Sequence, residues 1–209
     1  MKTLDKLDQV STVTIQTSLS EEELSQFKAA IETLDAQGEI HQKFYFGENK
    51  MVLPPKKKES KYFRFRQYQW VDKPIEEVFE FFSDAKNLER ITPDQLSFRI
   101  DSQSTDKIKE GTEFIYKLKI HGVPAKWKTV ITNWNPPYEF VDYQQKGPYQ
   151  VWFHSHLFIP YQNGTILVDE VKFILPFSFI SNFLVGWFIK FDVKNIFKHR
   201  YQYIKDYYL

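Results

Sequence analysis

The feature that most constrains the fold is a series of segments between Leu96 and Leu175 in which apolar and polar residues alternate. Alternation with a period of two places apolar side chains on one face of a strand and polar side chains on the other. The pattern therefore predicts an antiparallel sheet with one buried face and one face in water. The predicted strands are Leu96–Ile100, Thr112–Ile120, Ala125–Trp134, Tyr138–Tyr143, Tyr149–Phe158 and Thr165–Leu175.

The last two of these strands are joined by the dipeptide Asn163-Gly164. Asn-Gly between two alternating segments is the strongest short-range signal of a β-hairpin. A two-residue turn at Asn163 and Gly164 would place His156 opposite Val171. Asp169 would then be the diagonal neighbour of His156 on the same face of the sheet.

Helices are predicted on both sides of the strand series. A strand at Tyr62–Val71 precedes a helix that follows Pro74, and a second short helix covers Ala85–Ile91. The tail Pro176–Leu209 has apolar residues at helical spacing, which predicts one long helix on the apolar face of the sheet. Its apolar part, Phe177–Phe191, is shorter than the ~20 residues of a membrane span. The alternative role of this part is to cover a cavity mouth or to touch a membrane surface transiently.

Residues 1–58 are expected to form a small α/β extension that ends in a Lys-rich linker, and residues 59–209 the main domain. Strands are predicted at Ser11–Thr17 and Ile40–Phe46, with a helix between them. The helix should begin at Ser20, because Ser followed three residues later by Glu is a capping box. A unit of this size buries little surface, so it should pack on the main domain or on a partner.

Several functional classes are excluded or disfavoured by composition and by missing motifs. The chain has no Cys, which rules out disulfides, thiolate zinc sites and Cys nucleophiles. Its 28 Lys and Arg against 27 Asp and Glu argue against a nucleic-acid partner. The GxGxxG, GxxxxGK, GxSxG and HExxH motifs are absent from the sequence. The N-terminal segment shows no secretory signal, and we expect a cytoplasmic protein.

The aromatic content of 18% has two interpretations, a heavily aromatic core or the lining of a cavity for an apolar ligand. Alternation predicts inward positions for Phe114, Tyr116, Trp127 and Trp152. A curved sheet that grips the final helix without closing onto it would leave a gap, where a pocket would form.

Polar residues fall on the same predicted inward face. His154 and His156 share this face, and a buried Asp169 must be paired with one of them or protonated. Three interpretations remain open. The pair is a structural network, or it is a hydrogen-bonding or proton-transfer group at the floor of an apolar pocket, or the two His and Asp169 bind zinc with an open position. Two His and one Asp are a minimal ligand set, and we expect no metal and no cofactor.

An ordered set of residues resembles the START-like helix-grip superfamily, also called SRPBCC or polyketide cyclase/dehydrase-like, and in particular its small bacterial ligand-binding branch. The resemblance covers about residues 62–209. In its first part the matching residues are Pro74–Asp84, Asn87-Leu88, Ile91-Thr92-Pro93, Trp127, Pro136-Pro137 and Phe140-Val141-Asp142. In its second part they are Gly147-Pro148-Tyr149, Trp152–His156, Gly164-Thr165 and Asp169.

The resemblance implies an α+β helix-grip fold, in which a curved antiparallel sheet wraps around a long C-terminal helix, with a hydrophobic pocket between them. We expect this pocket to bind a small hydrophobic molecule such as a lipid, an isoprenoid or an aromatic polyketide-like compound. One alternative is a cyclase or dehydratase in which His156 is the general acid/base, oriented by Asp169. Another is a protein-interaction module with a vestigial pocket. The candidate ligand-binding residues are Phe114, Tyr116, Trp127, Trp152, His154, His156, Asp169, Phe183 and Trp187.

Overall fold

An antiparallel sheet organises the part of the chain that the computed structural model describes, namely residues 45–51, 60–175 and 184–208, with three isolated helical residues, Glu22, Ser25 and Ala29. Side chains are described for these three residues and for residues 62–175 and 191–208. The predictions for Ser11–Thr17, for the linker and for Phe183 lie outside the described residues.

Helices and strands follow one another in the order that the sequence predicts for residues 62–208. The elements are β1 (Tyr45–Met51), β2 (Ser60–Val71), α1 (Ile75–Ser83), α2 (Ala85–Arg90), a 3₁₀ turn (Asp94–Leu96), β3 (Arg99–Gln103), β4 (Glu113–Ile120), β5 (Val123–Asn135), β6 (Glu139–Lys146), β7 (Val151–Tyr161), β8 (Gly164–Ile174) and α3 (Leu184–Tyr208).

Within the described residues, the sheet has eight strands in the order β1-β2-β8-β7-β6-β5-β4-β3. Every neighbouring pair is antiparallel. The pairing of β5 with β6 shifts register twice. Such irregularities bend a strand and increase its twist, which helps the sheet to curve around a helix. Together with α3, this architecture is the predicted helix-grip α+β fold.

The strand β1 overlaps the end of the strand predicted at Ile40–Phe46 and continues beyond it. It covers Tyr45–Met51 and pairs with β2 at the edge of the main sheet, while residues 40–44 lie outside the described part of the chain. The described end of the extension therefore lengthens the sheet by one strand. The division of the chain after residue 58 stays a prediction.

The predicted strand Leu96–Ile100 was placed too early. Asp94–Leu96 forms a 3₁₀ turn, and Ser97 takes a left-handed conformation with φ 44° while its backbone N–H donates to the carbonyl of Asp94. This turn interrupts the extended backbone, so β3 begins only at Arg99.

The hairpin between β7 and β8 has a different register from the predicted one. Its two-residue turn is Gln162-Asn163, and Gly164 is the first residue of β8, paired with Tyr161. A Cβ at Gly164 would overlap the carbonyl oxygen of Val71, so this position in the strand requires glycine. The pairing shifts by two residues, which sets His156 directly opposite Asp169 and keeps both on the same face.

The expectation of one wet face is wrong for the centre of the sheet. Every residue of β8 is buried, including Glu170 and Lys172, which point away from the face that carries Asp169. Glu170 accepts a hydrogen bond from Nε of Arg66 at 2.6 Å and lies 3.0 Å from Nζ of Lys172. Buried charges are tolerated when they are paired, and here they are.

The helix α3 lies on the opposite face. Its buried residues Val193, Phe197 and Ile204 are spaced by about one or two helical turns. The rings of Phe197 and Phe65 are 4.5 Å apart, which fixes the middle of α3 against β2. Among the described residues, no helix has the length and apolar character needed to cross a membrane.

Candidate functional site

Three neighbouring strands place four ionisable side chains on the face of the sheet that α3 covers. His154 and His156 are two residues apart on β7, so they share one face. Asp142 on β6 is paired with His154, and Asp169 on β8 is paired with His156. The antiparallel register therefore sets one carboxylate on each side of the two imidazoles.

Each imidazole lies close to both carboxylates. Oδ1 of Asp169 is 3.0 Å from Nε2 of His154 and 3.1 Å from Nδ1 of His156, although the second contact lacks hydrogen-bond alignment. Oδ2 of Asp142 is 3.4 Å from Nδ1 of His154 and 3.3 Å from Nε2 of His156. The two ring centroids are 3.9 Å apart.

The helix α3 adds a permanent cation to this group. Nη1 of Arg200 donates to Oδ1 of Asp169 at 2.7 Å, and the guanidinium lies 4.9 Å from the centre of the Phe197 ring. Arg200 is 5% exposed and Asp169 is 1% exposed. Because an isolated carboxylate is costly to bury, the charge of Arg200 keeps Asp169 ionised inside the protein. We call Asp142, His154, His156, Asp169 and Arg200 the polar cluster.

The two imidazoles have opposite pKa shifts. Burial lowers the pKa of His154 to about 4, and the charge of neighbouring His156 acts in the same direction. Burial also opposes the charged form of His156, but hydrogen bonds and charges from Asp142 and Asp169 outweigh it and raise its pKa. Burial would raise the pKa of Asp169, but Arg200 and the two histidines hold it well below the usual range. The same pair of carboxylates therefore accompanies one imidazole whose pKa is lowered and one whose pKa is raised.

Aromatic rings fix the positions of the imidazoles. His156 stacks on Phe140 with centroids 4.2 Å apart and planes inclined by 21°. His154 meets the ring of Phe197 edge-on at 5.5 Å. Since these rings come from β6 and α3, the sheet and the final helix together hold the imidazoles in place.

A cavity of about 150 Å³ adjoins the polar cluster. Aromatic and aliphatic side chains form most of its wall, while Asp142, His154, His156 and Arg200 form a polar region. Two of its lining residues, Trp127 and Arg200, carry buried donors, Nε1 and Nε, that have no hydrogen-bond partner among the described residues. The apolar lining includes Phe82, Leu88, Ile91, Phe98, Ile108, Phe114, Tyr116, Leu118, Trp127, Ile131, Phe140, Tyr149, Trp152, Ile196 and Phe197.

A groove of about 590 Å³ shares part of its lining with this cavity. It lies between the β4–β5 turn and α3, where Nε2 of His121 is 2.7 Å from Oδ2 of Asp192. The residues that line both the cavity and the groove are Leu96, Leu118, Trp127, Tyr149 and Ile196.

The structure brings most of the predicted site residues to this cavity. Six of them line it, namely Phe114, Tyr116, Trp127, Trp152, His154 and His156. Asp169 does not line the cavity and is buried behind the two imidazoles. Phe183 lies outside the described residues. Trp187 belongs to the first turns of α3, whose side chains are not described.

Two members of the polar cluster were not among the predicted site residues. Asp142 follows Phe140 and Val141 in a strand, and a lone Asp at such a position gives no sign of its neighbours across the sheet. Arg200 has the helical spacing of an inward residue, three positions after Phe197. A basic residue on the apolar side of a helix is a signal that a buried acid faces it, and it could have identified Arg200.

Within the described residues, one set of side chains has the donor atoms to hold a metal ion. Asp142, His154 and His156 each offer one ligand atom, and these atoms lie within 4.8 Å of one another.

Comparison with known proteins gives similarities of structure without close similarity of sequence. No family model matches the chain. No curated protein matches it either.

Solved structures of several organisms are similar to the chain. A START superfamily protein from Mycobacterium smegmatis superposes with a TM-score of 0.54 and 12% identity, over 68% of this chain and 97% of that one. Ginseng major latex-like protein 151 from Panax ginseng has a TM-score of 0.53 and 10% identity, over 71% and 98%. A protein from Arthrobacter aurescens has a TM-score of 0.53 and 15% identity, over 68% and 86%. At these identities the likeness concerns the fold, and the chain has the helix-grip fold of the START-like proteins.

Proposed function

We propose that the protein binds a small apolar molecule that carries a hydrogen-bond acceptor, in the cavity between the sheet and α3. The observation that carries this proposal is an aromatic cavity whose lining residues Trp127 and Arg200 each have a buried donor, Nε1 and Nε, without a partner in the described part of the chain. Pockets for small molecules commonly combine an apolar wall with a few polar groups that orient the ligand.

The size of the cavity favours a compact ligand. A volume of about 150 Å³ is close to that of an engineered protein cavity that binds benzene. This volume supports a ligand with one aromatic ring. A longer lipid or isoprenoid chain would have to extend into the groove beside His121 and Asp192.

The unpaired donors indicate the polar group of the ligand. A buried donor without a partner costs about 1–3 kcal/mol, and a ligand acceptor would remove this cost. A carbonyl or ether oxygen placed near Trp127 would accept from Nε1, while the rest of the molecule contacts the aromatic wall. A purely apolar molecule of the same size would leave the donor unpaired.

The surroundings of the two His156 ring nitrogens favour binding without turnover over acid/base catalysis. Its Nε2 faces Asp142 and its Nδ1 faces Asp169. With both nitrogens facing carboxylates of the protein, neither is directed at a ligand in the cavity. The cyclase or dehydratase alternative requires His156 to leave one of these carboxylates, whereas binding requires no rearrangement.

The test compares two probes of nearly equal shape, acetophenone and ethylbenzene, which differ in one carbonyl oxygen. In ¹H–¹⁵N spectra of the full chain, we expect both probes to shift signals of cavity residues in a saturable way. Only acetophenone should shift the indole N–H signal of Trp127 strongly, and it should bind about 2–10-fold more tightly, as one added neutral hydrogen bond implies.

Trp127→Phe keeps an aromatic wall and removes the donor, so it should abolish the preference for acetophenone. The matched control is Trp134→Phe, because Trp134 packs on the core beside Phe79 and does not line the cavity. The proposal is wrong if neither probe binds saturably, or if Trp127→Phe retains the full preference.

A further inference from the structure

Each of the two imidazoles lies between the same two carboxylates, and this arrangement resembles that of histidine ligands around a metal ion. Nδ1 of His154 and Nε2 of His156 converge on the same oxygen, Oδ2 of Asp142. The other nitrogen of each ring lies near Oδ1 of Asp169. Each ring therefore offers one nitrogen to a common point and turns the other toward a carboxylate.

The distances at this point suit a small divalent cation. Zinc binds nitrogen and carboxylate oxygen at ~2.0–2.2 Å in a tetrahedron, whose ligand atoms are then ~3.3–3.6 Å apart. Oδ2 of Asp142 is 3.4 Å from Nδ1 of His154 and 3.3 Å from Nε2 of His156. These two separations match the spacing of zinc ligands, and all three ligand atoms lie within 4.8 Å of one another.

Asp169 and Arg200 provide the support that metal-binding histidines usually have. Such histidines hydrogen-bond through the second ring nitrogen to a carboxylate or carbonyl, which fixes the orientation of the ring. Asp169 makes this hydrogen bond with Nε2 of His154 at 3.0 Å, and Arg200 holds the same carboxylate at 2.7 Å. Nδ1 of His156 lies 3.1 Å from Asp169 without hydrogen-bond alignment, so a small rotation of the ring would complete the second bond.

The cavity supplies the remaining coordination position. Asp142, His154 and His156 all line it, so a cation held by them would have one side toward the cavity. Three protein ligands with an open fourth position are the arrangement of zinc sites that bind water or a small molecule.

We propose that Asp142, His154 and His156 form a binding site for zinc or a similar divalent cation, with Asp169 as the positioning residue for both imidazoles. The sequence suggested Asp169 as the third ligand of such a site. The pairing of β6 with β7 instead gives that position to Asp142. This inference goes beyond the proposed function, because the site requires no apolar ligand.

The test uses the full chain, stripped with a chelator and then incubated with ZnCl₂ or CoCl₂. After gel filtration we expect one equivalent of zinc per chain by mass spectrometry, and a visible spectrum typical of four-coordinate cobalt. Asp142→Asn should weaken zinc binding by about 100-fold or more, and Asp169→Asn by about 10–100-fold, the range for residues that orient ligands.

The control is His199→Gln, which removes an exposed imidazole of α3 and should leave zinc binding unchanged. The proposal is overturned if the unaltered chain does not retain zinc or if its cobalt spectrum is six-coordinate. These two outcomes do not depend on whether the variants fold. Equal zinc retention by folded Asp142→Asn also overturns it.

Acetophenone binding is measured on the same zinc-free sample. If zinc is not retained but acetophenone binds, only the metal site is rejected. If acetophenone does not bind but zinc is retained, only the proposed apolar-ligand function is rejected.

Discussion

Asp169 is the residue on which the polar cluster depends. It is buried on β8, contacts both imidazoles and receives the guanidinium of Arg200. The sequence identified Asp169 and one histidine partner, because a buried acid needs a partner and His-x-His lies on the neighbouring strand. It did not identify Asp142 and Arg200, since the contacts of a side chain across a sheet or from a distant helix are not encoded in local spacing.

The first prediction concerns Arg200. Replacing it with Met keeps an unbranched apolar stem but leaves Asp169 without its fixed cation. We expect Arg200→Met to lower the free energy of unfolding by about 3–5 kcal/mol, because one partner of a buried ion pair remains uncompensated. Urea denaturation measures the change. Lys198→Met, on the exposed side of the same helix, should change stability by less than about 0.5 kcal/mol. Equal effects of the two substitutions would contradict the role given to Arg200.

At the scale of elements, the β7–β8 hairpin determines which side chains meet. The Asn-Gly signal identified the hairpin correctly and misplaced its turn. Gly164 is required by the close carbonyl of Val71 on β2, and the left-handed residue of the turn is Gln162, with φ 56°. The requirement for glycine thus comes from a strand that is distant in the sequence, which local turn rules do not contain.

The second prediction uses this hairpin. Gly164→Ala should destabilise the protein by about 1–3 kcal/mol, since the added Cβ forces the backbone of β2 or β8 to move. Gln162→Gly should be neutral or stabilising by up to about 1 kcal/mol, because glycine adopts a positive φ without steric cost. Thermal unfolding of both variants measures the difference. A destabilising Gln162→Gly would contradict the turn assignment.

The third prediction concerns the packing of α3 on the sheet. Phe197 is 2% exposed and packs on Phe65, whereas Phe191 on the same helix is 53% exposed. Phe197→Ala should therefore lower the free energy of unfolding by about 3–5 kcal/mol. Phe191→Ala removes the same group and should cost less than about 1 kcal/mol. Chemical denaturation measures both free energies of unfolding. Similar losses for the two variants would show that Phe197 does not anchor α3 to the sheet.

At the scale of the whole molecule, the sheet is buried on both faces at its centre. One face carries the polar cluster and α3, and the other carries Glu170 between Arg66 and Lys172. The alternation of Glu170 and Lys172 with apolar residues predicted a wet face. Alternation separates the two faces of a strand, but it does not report whether a charged face is in water or is buried with its charges paired.

The fourth prediction tests this second face. Glu170→Gln removes the carboxylate that pairs with Arg66 and Lys172 while it nearly keeps the volume. We expect a loss of about 3–5 kcal/mol in the free energy of unfolding, as for other broken buried ion pairs. Glu113→Gln breaks the exposed pair with Lys128 and should leave stability nearly unchanged. Comparison of urea midpoints measures both, and a neutral Glu170→Gln would show that this face is effectively solvated.

The sequence by itself determined the succession of strands and helices over residues 62–208 and the inward faces of β4, β5, β7 and β8, while its resemblance to a known superfamily implied the helix-grip architecture. The succession and the faces follow from local periodicity, because side chains alternate along a strand and repeat every 3.6 residues along a helix. Tertiary structure alone decided the hairpin register, the place of Asp142 and Arg200 beside the imidazoles, and the burial of both faces of the sheet. Those features depend on distances between segments far apart in the chain, which only the packed fold brings within hydrogen-bond reach.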